Sequence, residues 1–262
     1  HSYYSFARVY VEIVRGCSNF RRPRLPLPDG RKCIECNLCW SGPLALRINC
    51  PLNIPAGCGY CSVPSLFGPA RSRDVEIIVR EIRELVDIGV KRITLSAPDI
   101  LDYGRDFLVE PEPLTDPEYP PPNREALERL FRSIDARIPE WGSGEVVILL
   151  ENIKANLVDE DIARLLGEYF KDTPVHVGVE TGDEKHAISI GRPVSPKRVV
   201  DAIRLLSKYG LRPYVYFIYG LPGETRETIV KSIKLMHKLV AAGAEKITAY
   251  RFCLLYTSPS PR

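Results

Sequence analysis

Glutamine is absent from the 262 residues, and methionine occurs once, at Met236. Together with 23 prolines, that scarcity of thermolabile side chains points to a thermophilic source. No apolar run approaches the roughly 20 residues of a membrane-spanning helix, and no signal peptide is visible. These two absences exclude a membrane partner and point to the cytoplasm. Strong charge of one sign is lacking too. Thirty-six basic residues against 33 acidic ones leave a net charge of +3, too mild to argue for nucleic acid or a membrane surface. Partners must therefore be read from the site. The chain begins at His1 rather than Met, which leaves room for sequence before it.

What is present is ordinary for a globular protein, 45% hydrophobic and 26% charged, and the length suits a single α/β barrel. Six β-rich runs stand out, over 8–14, 92–96, 146–151, 175–180, 212–219 and 246–252. Their nearly continuous apolar character is that of strands covered on both faces. Between them lie apolar stripes at helical spacing: Val75, Ile78, Val79 and Ile82; Leu127, Leu130, Phe131 and Ile134; Ile162, Leu165 and Leu166; Val199, Ile203 and Leu206. Ile229, Ile233, Met236 and Val240 make a fifth. Ser72 is placed to cap the first helix, and Gly210 and Gly243 close the last two. Strand and helix in alternation mean parallel pairing with right-handed crossovers. The expected fold class is therefore α/β, a partial TIM-type (β/α)6 barrel or an open doubly wound sheet. In either, the ligand site lies at the carboxyl ends of the strands.

Three segments break the rhythm. Residues 18–64 form a long cysteine-bearing stretch after the first strand, and a loop of that length is usually functional. The proline-rich run 110–122 cannot form regular structure. The last ten residues, 253–262, resemble the translation of a transposase-type sequencing adapter. On that reading Cys253 carries no function and the native chain continues past Phe252.

Seven of the eight cysteines fall between positions 17 and 61. An odd count without an export signal argues against disulfides and for metal ligation. Cys33-x2-Cys36-x2-Cys39 is a continuous triple, whereas structural zinc usually takes two separated pairs. Cys50 precedes Pro51, as in the bacterial ferredoxin run. Iron–sulfur is favoured for this quartet, with zinc as the alternative. The other three are Cys17, directly after the first strand, and Cys58 and Cys61, just before the first helix. Three thiolates on a four-iron cluster leave one iron open, which is what a catalytic metal needs.

Val-Arg-Gly-Cys17 and Cys58-Gly-Tyr60-Cys61 resemble the signature of the radical S-adenosylmethionine (SAM) enzymes, Cys-x3-Cys-x2-Cys with an aromatic before the last cysteine. Forty residues separate Cys17 from Cys58, so either residues 18–57 are an insertion carrying the quartet, or Cys50, Cys58 and Cys61 form the trio. The insertion reading is preferred because it keeps the quartet whole. Val-Gly-Val-Glu180-Thr-Gly-Asp, Ile190-Gly-Arg192-Pro and Phe217-Ile-Tyr-Gly220-Leu-Pro-Gly-Glu224-Thr are similar to segments of the branch that holds tRNA methylthiotransferases and cobalamin-dependent radical SAM enzymes.

The resemblance implies a radical SAM core over residues 1–252. It implies a [4Fe-4S] cluster on Cys17, Cys58 and Cys61 that cleaves SAM reductively to methionine and a 5′-deoxyadenosyl radical, for methyl or methylthio transfer. A non-catalytic iron–sulfur electron carrier is the alternative. The implied partners are a low-potential electron donor and a substrate that could be RNA, protein or a small molecule, with any cobalamin held by a flanking domain. SAM contacts are expected from Tyr60, Ser96, Glu151, Glu180, Arg192 and Gly220, with Glu180 on the ribose and Arg192 forking the SAM carboxylate. Arg192 lies far along the chain from the cysteines and is expected to act independently of them. Asp99 and Asp102 read as loop starts, His176 as a core histidine, and His186 as a surface or boundary residue. Arg15, Arg21, Arg22, Arg24, Arg31 and Lys32 crowd the cysteine loop, where they could bind RNA phosphate or balance anionic clusters.

Overall fold

The computed structural model describes residues 3–192 and 194–253; the adapter-like residues 254–262 and Pro193 of the Ile-Gly-Arg-Pro segment lie outside them. Six parallel strands succeed one another in chain order: β1 (Arg8–Glu12), β2 (Arg92–Ser96), β3 (Val147–Leu150), β4 (Pro174–Glu180), β5 (Arg212–Tyr219) and β6 (Lys246–Arg251). β1, β2 and β3 form one sheet, and a short strand at Asn152–Ile153 continues with β4, β5 and β6 in another. Glu151 joins the two: its N–H donates to the Leu95 carbonyl and its own carbonyl accepts from the His176 N–H. The result is one curved wall, a six-stranded partial barrel, with β1 and β6 as its outer strands among the described residues.

The helices α1 (Val75–Asp87), α2 (Arg124–Arg137), α3 (Glu160–Phe170), α4 (Glu184–Ser189), α5 (Pro196–Lys208) and α6 (Arg226–Ala241) alternate with the strands. The stripes predicted for α1, α2, α3 and α5 are buried against Ile93, Leu95, Ile148, Val175, Val177 and Val215. Asp74, not Ser72, caps α1, accepting from the N–H groups of Glu76 and Ile77. Ser72 instead pairs with Val14 in a two-stranded antiparallel ribbon that closes the base of the cysteine loop.

α6 also departs from its predicted stripe. Ile229, Ile233 and Val240 are exposed, and Thr228, Leu235 and Leu239 face inward. The cause is close contact: a Cβ on Gly182 would lie 2.5 Å from the Ser232 Cα. The helix therefore approaches through small and polar residues that a hydrophobic pattern does not register. No helix among the described residues is long and apolar enough to cross a membrane.

The proline-rich run is irregular yet firmly tied. Arg105, fully buried, donates to the Pro120 and Asp116 carbonyls and pairs with Asp102 at 2.5 Å. Arg47 pairs with Asp116, and Arg21 with Glu118 at 2.6 Å. The run thus straps the cysteine loop to the barrel wall.

Candidate functional site

Cys17 leaves β1 through Gly16, whose φ is 83° and whose added Cβ would lie 2.2 Å from the Pro69 carbonyl oxygen. Only glycine makes that turn. The loop then returns to the barrel mouth, where Cys17, Cys58 and Cys61 line a cavity of about 210 Å³ together with Tyr60, Glu180 and Arg192. Burial pushes the Cys17 thiol up, against the opposing charge of Lys154. Burial and the neighbouring Cys58 push Cys61 up to about 12. Both are therefore thiols in the metal-free chain, and loading a metal must expel their protons.

Glu180 ends β4 at a bulge, buried and with a φ of 67°. A non-glycine residue in that region is strained by about 1–3 kcal/mol, a cost found most often at functional sites. Burial raises its carboxyl above the usual range, with Arg192 opposing. Arg192 Nε lies 3.6 Å from Glu180 Oε1, and its Nη2 donates to the Gly178 carbonyl at 2.6 Å. Gly178 leaves the space for this, since a Cβ there would lie 2.4 Å from Glu180 Oε1. One arm of the Arg192 fork is thus taken by the chain's own Gly178 carbonyl. Among the described residues the buried Arg192 Nε has no hydrogen-bond partner, and the buried Tyr60 hydroxyl sits against Glu180 and Cys58.

Ser96 and Glu151 meet in an adjoining cavity of about 330 Å³ that shares Val63, Pro98 and Asn152 with the first. Ser96 Oγ donates to Glu151 Oε2 at 2.5 Å, and the Ala97 N–H donates to the same oxygen at 3.2 Å. Gly220, at a φ of 80°, opens the turn after β5 and lines neither cavity. The next two residues, Leu221 and Pro222, line an apolar cavity of about 180 Å³ behind Tyr60, with Leu25, Leu27, Ile190 and Phe252.

Cys33, Cys36, Cys39 and Cys50 stand apart from the trio around a small void of about 20 Å³ lined also by Arg22, Arg24 and Trp40. Cys36 is exposed and Cys39 buried. Among the described residues, no three Cys, His, Asp or Glu side chains are gathered as they would be around a bare metal ion.

The family model of the radical SAM superfamily matches residues 49–236, which is most of the chain. The chain belongs to the radical SAM superfamily. The matched span holds Cys50, Cys58 and Cys61 but begins after Cys17, whereas the fold sends Cys50 to the other group of thiols. An uncharacterized protein of Methanopyrus kandleri is 51% identical across 98% of this chain and 48% of its own length. A tRNA-2-methylthio-N(6)-dimethylallyladenosine synthase of Lawsonia intracellularis is 27% identical over 77% of the chain and 42% of its own length. Among solved structures, the radical SAM methyltransferase TsrM from Kitasatospora setae, with cobalamin and a [4Fe-4S] cluster bound, superposes with a TM-score of 0.63. It is 15% identical and covers 99% of this chain and 39% of that one. The chain spans about half the length, or less, of these curated relatives.

Several residues of this radical SAM chain carry no signal in its sequence. Asn19 donates from its backbone to Cys17 Sγ at 3.4 Å and from its side chain to Cys58 Sγ at 3.2 Å and the Gly191 carbonyl at 2.9 Å. One residue, through its backbone and its amide, thereby links two thiols to the Gly191 carbonyl beside Arg192. Sequence distance is a poor guide once strands run side by side.

Lys154 is the second. It lines the trio cavity and donates to Ser18 Oγ at 2.8 Å and Asp102 Oδ2 at 2.9 Å. Burial works against its charge, but Asp102 and Cys17 hold it up. Asp99 and Asp102 do start a loop, yet both are fully buried beneath Cys17. Burial pushes Asp99 up, while Lys154 and Arg105 overcome burial and hold Asp102 down.

His186 is buried rather than peripheral. Its ring bridges Thr181 Oγ1 and the Pro222 carbonyl at 3.1 and 2.9 Å, joining the two SAM-type segments. His176, half-buried, contacts the Tyr216 hydroxyl at 3.1 Å. The basic residues are mostly spoken for: Arg15 with Glu12, Arg21 with Glu118, Arg24 with Glu35, and Arg31 with Asp29.

Proposed function

We propose that the chain cleaves SAM reductively at a [4Fe-4S] cluster held by Cys17, Cys58 and Cys61. The observation that carries this reading is the gathering of those three thiols, from two ends of a 40-residue excursion, in one cavity with Glu180 and Arg192. The donor set fits: three soft thiolates leave one iron to chelate SAM, and Arg192 Nε is a buried donor without a hydrogen-bond partner among the described residues. When bound, the cluster supplies the electron that splits the sulfonium and yields a 5′-deoxyadenosyl radical.

The chain's own residues orient SAM and exclude water. Glu180 accepts from the ribose hydroxyls, and Arg192 holds Glu180 in place. The apolar cavity behind Tyr60 suits the flat heteroaromatic end of SAM. Ser96 and Glu151 form a polar wall of the adjoining cavity, where the SAM amino group or the substrate would lie. Gly220 shapes the turn that carries Leu221. A low-potential one-electron donor is the implied partner. Residues 18–57 are read as an insertion in a core spanning 1–252, holding a second metal centre, iron–sulfur or zinc, at the quartet. Methyl or methylthio transfer is the proposed outcome, on the names of the relatives, with cobalamin as a further cofactor of the whole protein.

The test is anaerobic reconstitution followed by reduction with dithionite and measurement of 5′-deoxyadenosine and methionine. Cys58→Ala and Cys61→Ala are expected to abolish cleavage while the quartet keeps its metal. Cys17→Ala is expected to abolish it and Cys50→Ala to spare it; the reverse pattern sinks the assignment of Cys17. A chain that binds clusters but neither binds nor cleaves SAM is an electron carrier instead.

A further inference from the structure

We propose that Cys33, Cys36, Cys39 and Cys50 hold a [4Fe-4S] cluster whose sulfur atoms accept hydrogen bonds from Trp40 and Arg24, and not a single zinc ion. This rests on the reading of the quartet as a metal centre and decides what that centre is.

Trp40 Nε1 and Arg24 Nε are buried atoms without a hydrogen-bond partner, and both residues line the void between the four thiols. A buried N–H left unpaired costs about 1–3 kcal/mol, and two at one spot mark a missing acceptor. Trp40 is held by two cation–π contacts, the guanidinium groups of Arg21 and Arg24 lying 4.8 and 4.6 Å from its ring centre.

Charge points the same way. Arg22 is 3% exposed and, among the described residues, donates only to the carbonyls of Phe20, Arg47, Ile48 and Ile54. Four carbonyl dipoles solvate a cation but do not neutralise it, so an anionic centre in the void beside it completes the site.

Zinc and cluster are separated by where the acceptors sit. Four thiolates on zinc converge at about 2.3 Å from one point and offer only their own lone pairs as acceptors. A cube adds four sulfides between the ligand arms, where donors from flanking side chains can reach them and tune the potential. The four cysteines line one void, and among the described residues no three of them are gathered as around a single metal ion. The Cys-x2-Cys-x2-Cys triple is also that of an iron–sulfur run, with ten residues in place of three before the Cys-Pro.

The experiment uses the whole chain, reconstituted anaerobically with iron and sulfide in the presence of equimolar zinc, beside a variant with Cys17, Cys58 and Cys61 changed to alanine. The variant is expected to hold about four iron and about four acid-labile sulfides, and the parent about eight of each. In the variant, Trp40→Phe and Arg24→Met should each make the cluster's reduction potential more negative without loss of iron, since an N–H donor favours the more negative reduced state. One zinc, or one iron without sulfide, in the variant overturns the proposal, as does a potential that neither substitution moves. If the variant does not fold, the parent decides: about four iron with one zinc overturns the proposal, and about eight iron supports it. A complementary variant lacking the four quartet cysteines tests the catalytic reading alone. Failure there to bind SAM refutes the trio and leaves the quartet standing.

Discussion

Burial decides the chemistry of single side chains here. The Cys61 thiol is held protonated up to about 12, mainly by burial and then by the neighbouring Cys58, whereas an unfolded thiol ionises near 8.5. A group whose folded value is raised lends stability below its unfolded value and loses it as pH rises toward the folded one. The metal-free chain should therefore lose stability between about pH 9 and about pH 12. Urea midpoints at about pH 8 and about pH 10 measure this, and Cys61→Ala should flatten the difference; an equal slope in parent and variant would refute the assignment. The same burial explains which residues the sequence displayed. Cys17, Glu151 and Glu180 were legible because each ends a strand, and strand ends face the mouth. Asn19 and Lys154 were not, because a lone amide or amine has no period or spacing.

At the scale of elements, the long cysteine loop is held by buried ion pairs rather than by regular structure. Arg105 and Asp102, both fully buried, anchor the proline-rich strap. Removing Arg105 leaves Asp102 to Lys154 alone and the buried Pro120 and Asp116 carbonyls without their donor, and breaking a buried pair costs about 3–5 kcal/mol. Asp159 caps α3 by accepting from the Ile162 N–H at 2.8 Å, a contact worth about 1 kcal/mol. Arg105→Met should therefore lower the unfolding free energy several-fold more than Asp159→Ala in equilibrium denaturation. Equal losses would mean that the strap carries no load. Amphipathic stripes placed four of the five helices correctly because each buries aliphatic side chains against the wall. α6 failed the rule because its contact is made by Ser232 on Gly182.

Across the molecule, Asn19 connects the cysteine loop to the α4–α5 turn through Cys17, Cys58 and Gly191. A group that orients metal ligands from behind is typically worth about 10–100-fold in metal affinity. Asn19→Ala should weaken cluster retention at the trio by that factor and leave the quartet loaded, as read by iron content after dialysis against a chelator. Equal iron loss from both sites would show a general loosening of the loop instead.

The alternation of strand and helix, the parallel order and the position of the mouth followed from the sequence by itself, because periodicity and crossover handedness leave few other arrangements. The crowding of seven cysteines between positions 17 and 61 was legible as well. Their partition did not: Cys50 stands eight residues from Cys58 and 33 from Cys17, so spacing alone allowed either trio. In the tertiary structure Cys17 lines one cavity with Cys58 and Cys61 while Cys50 lines another, because the ribbon at Val14–Arg15 and Arg71–Ser72 folds the loop back on itself. That fold brings Cys17 and Cys58 onto Asn19 and leaves Cys50 beside Trp40. Position along a chain fixes only what lies on one element, and contact between elements depends on which faces must be buried together.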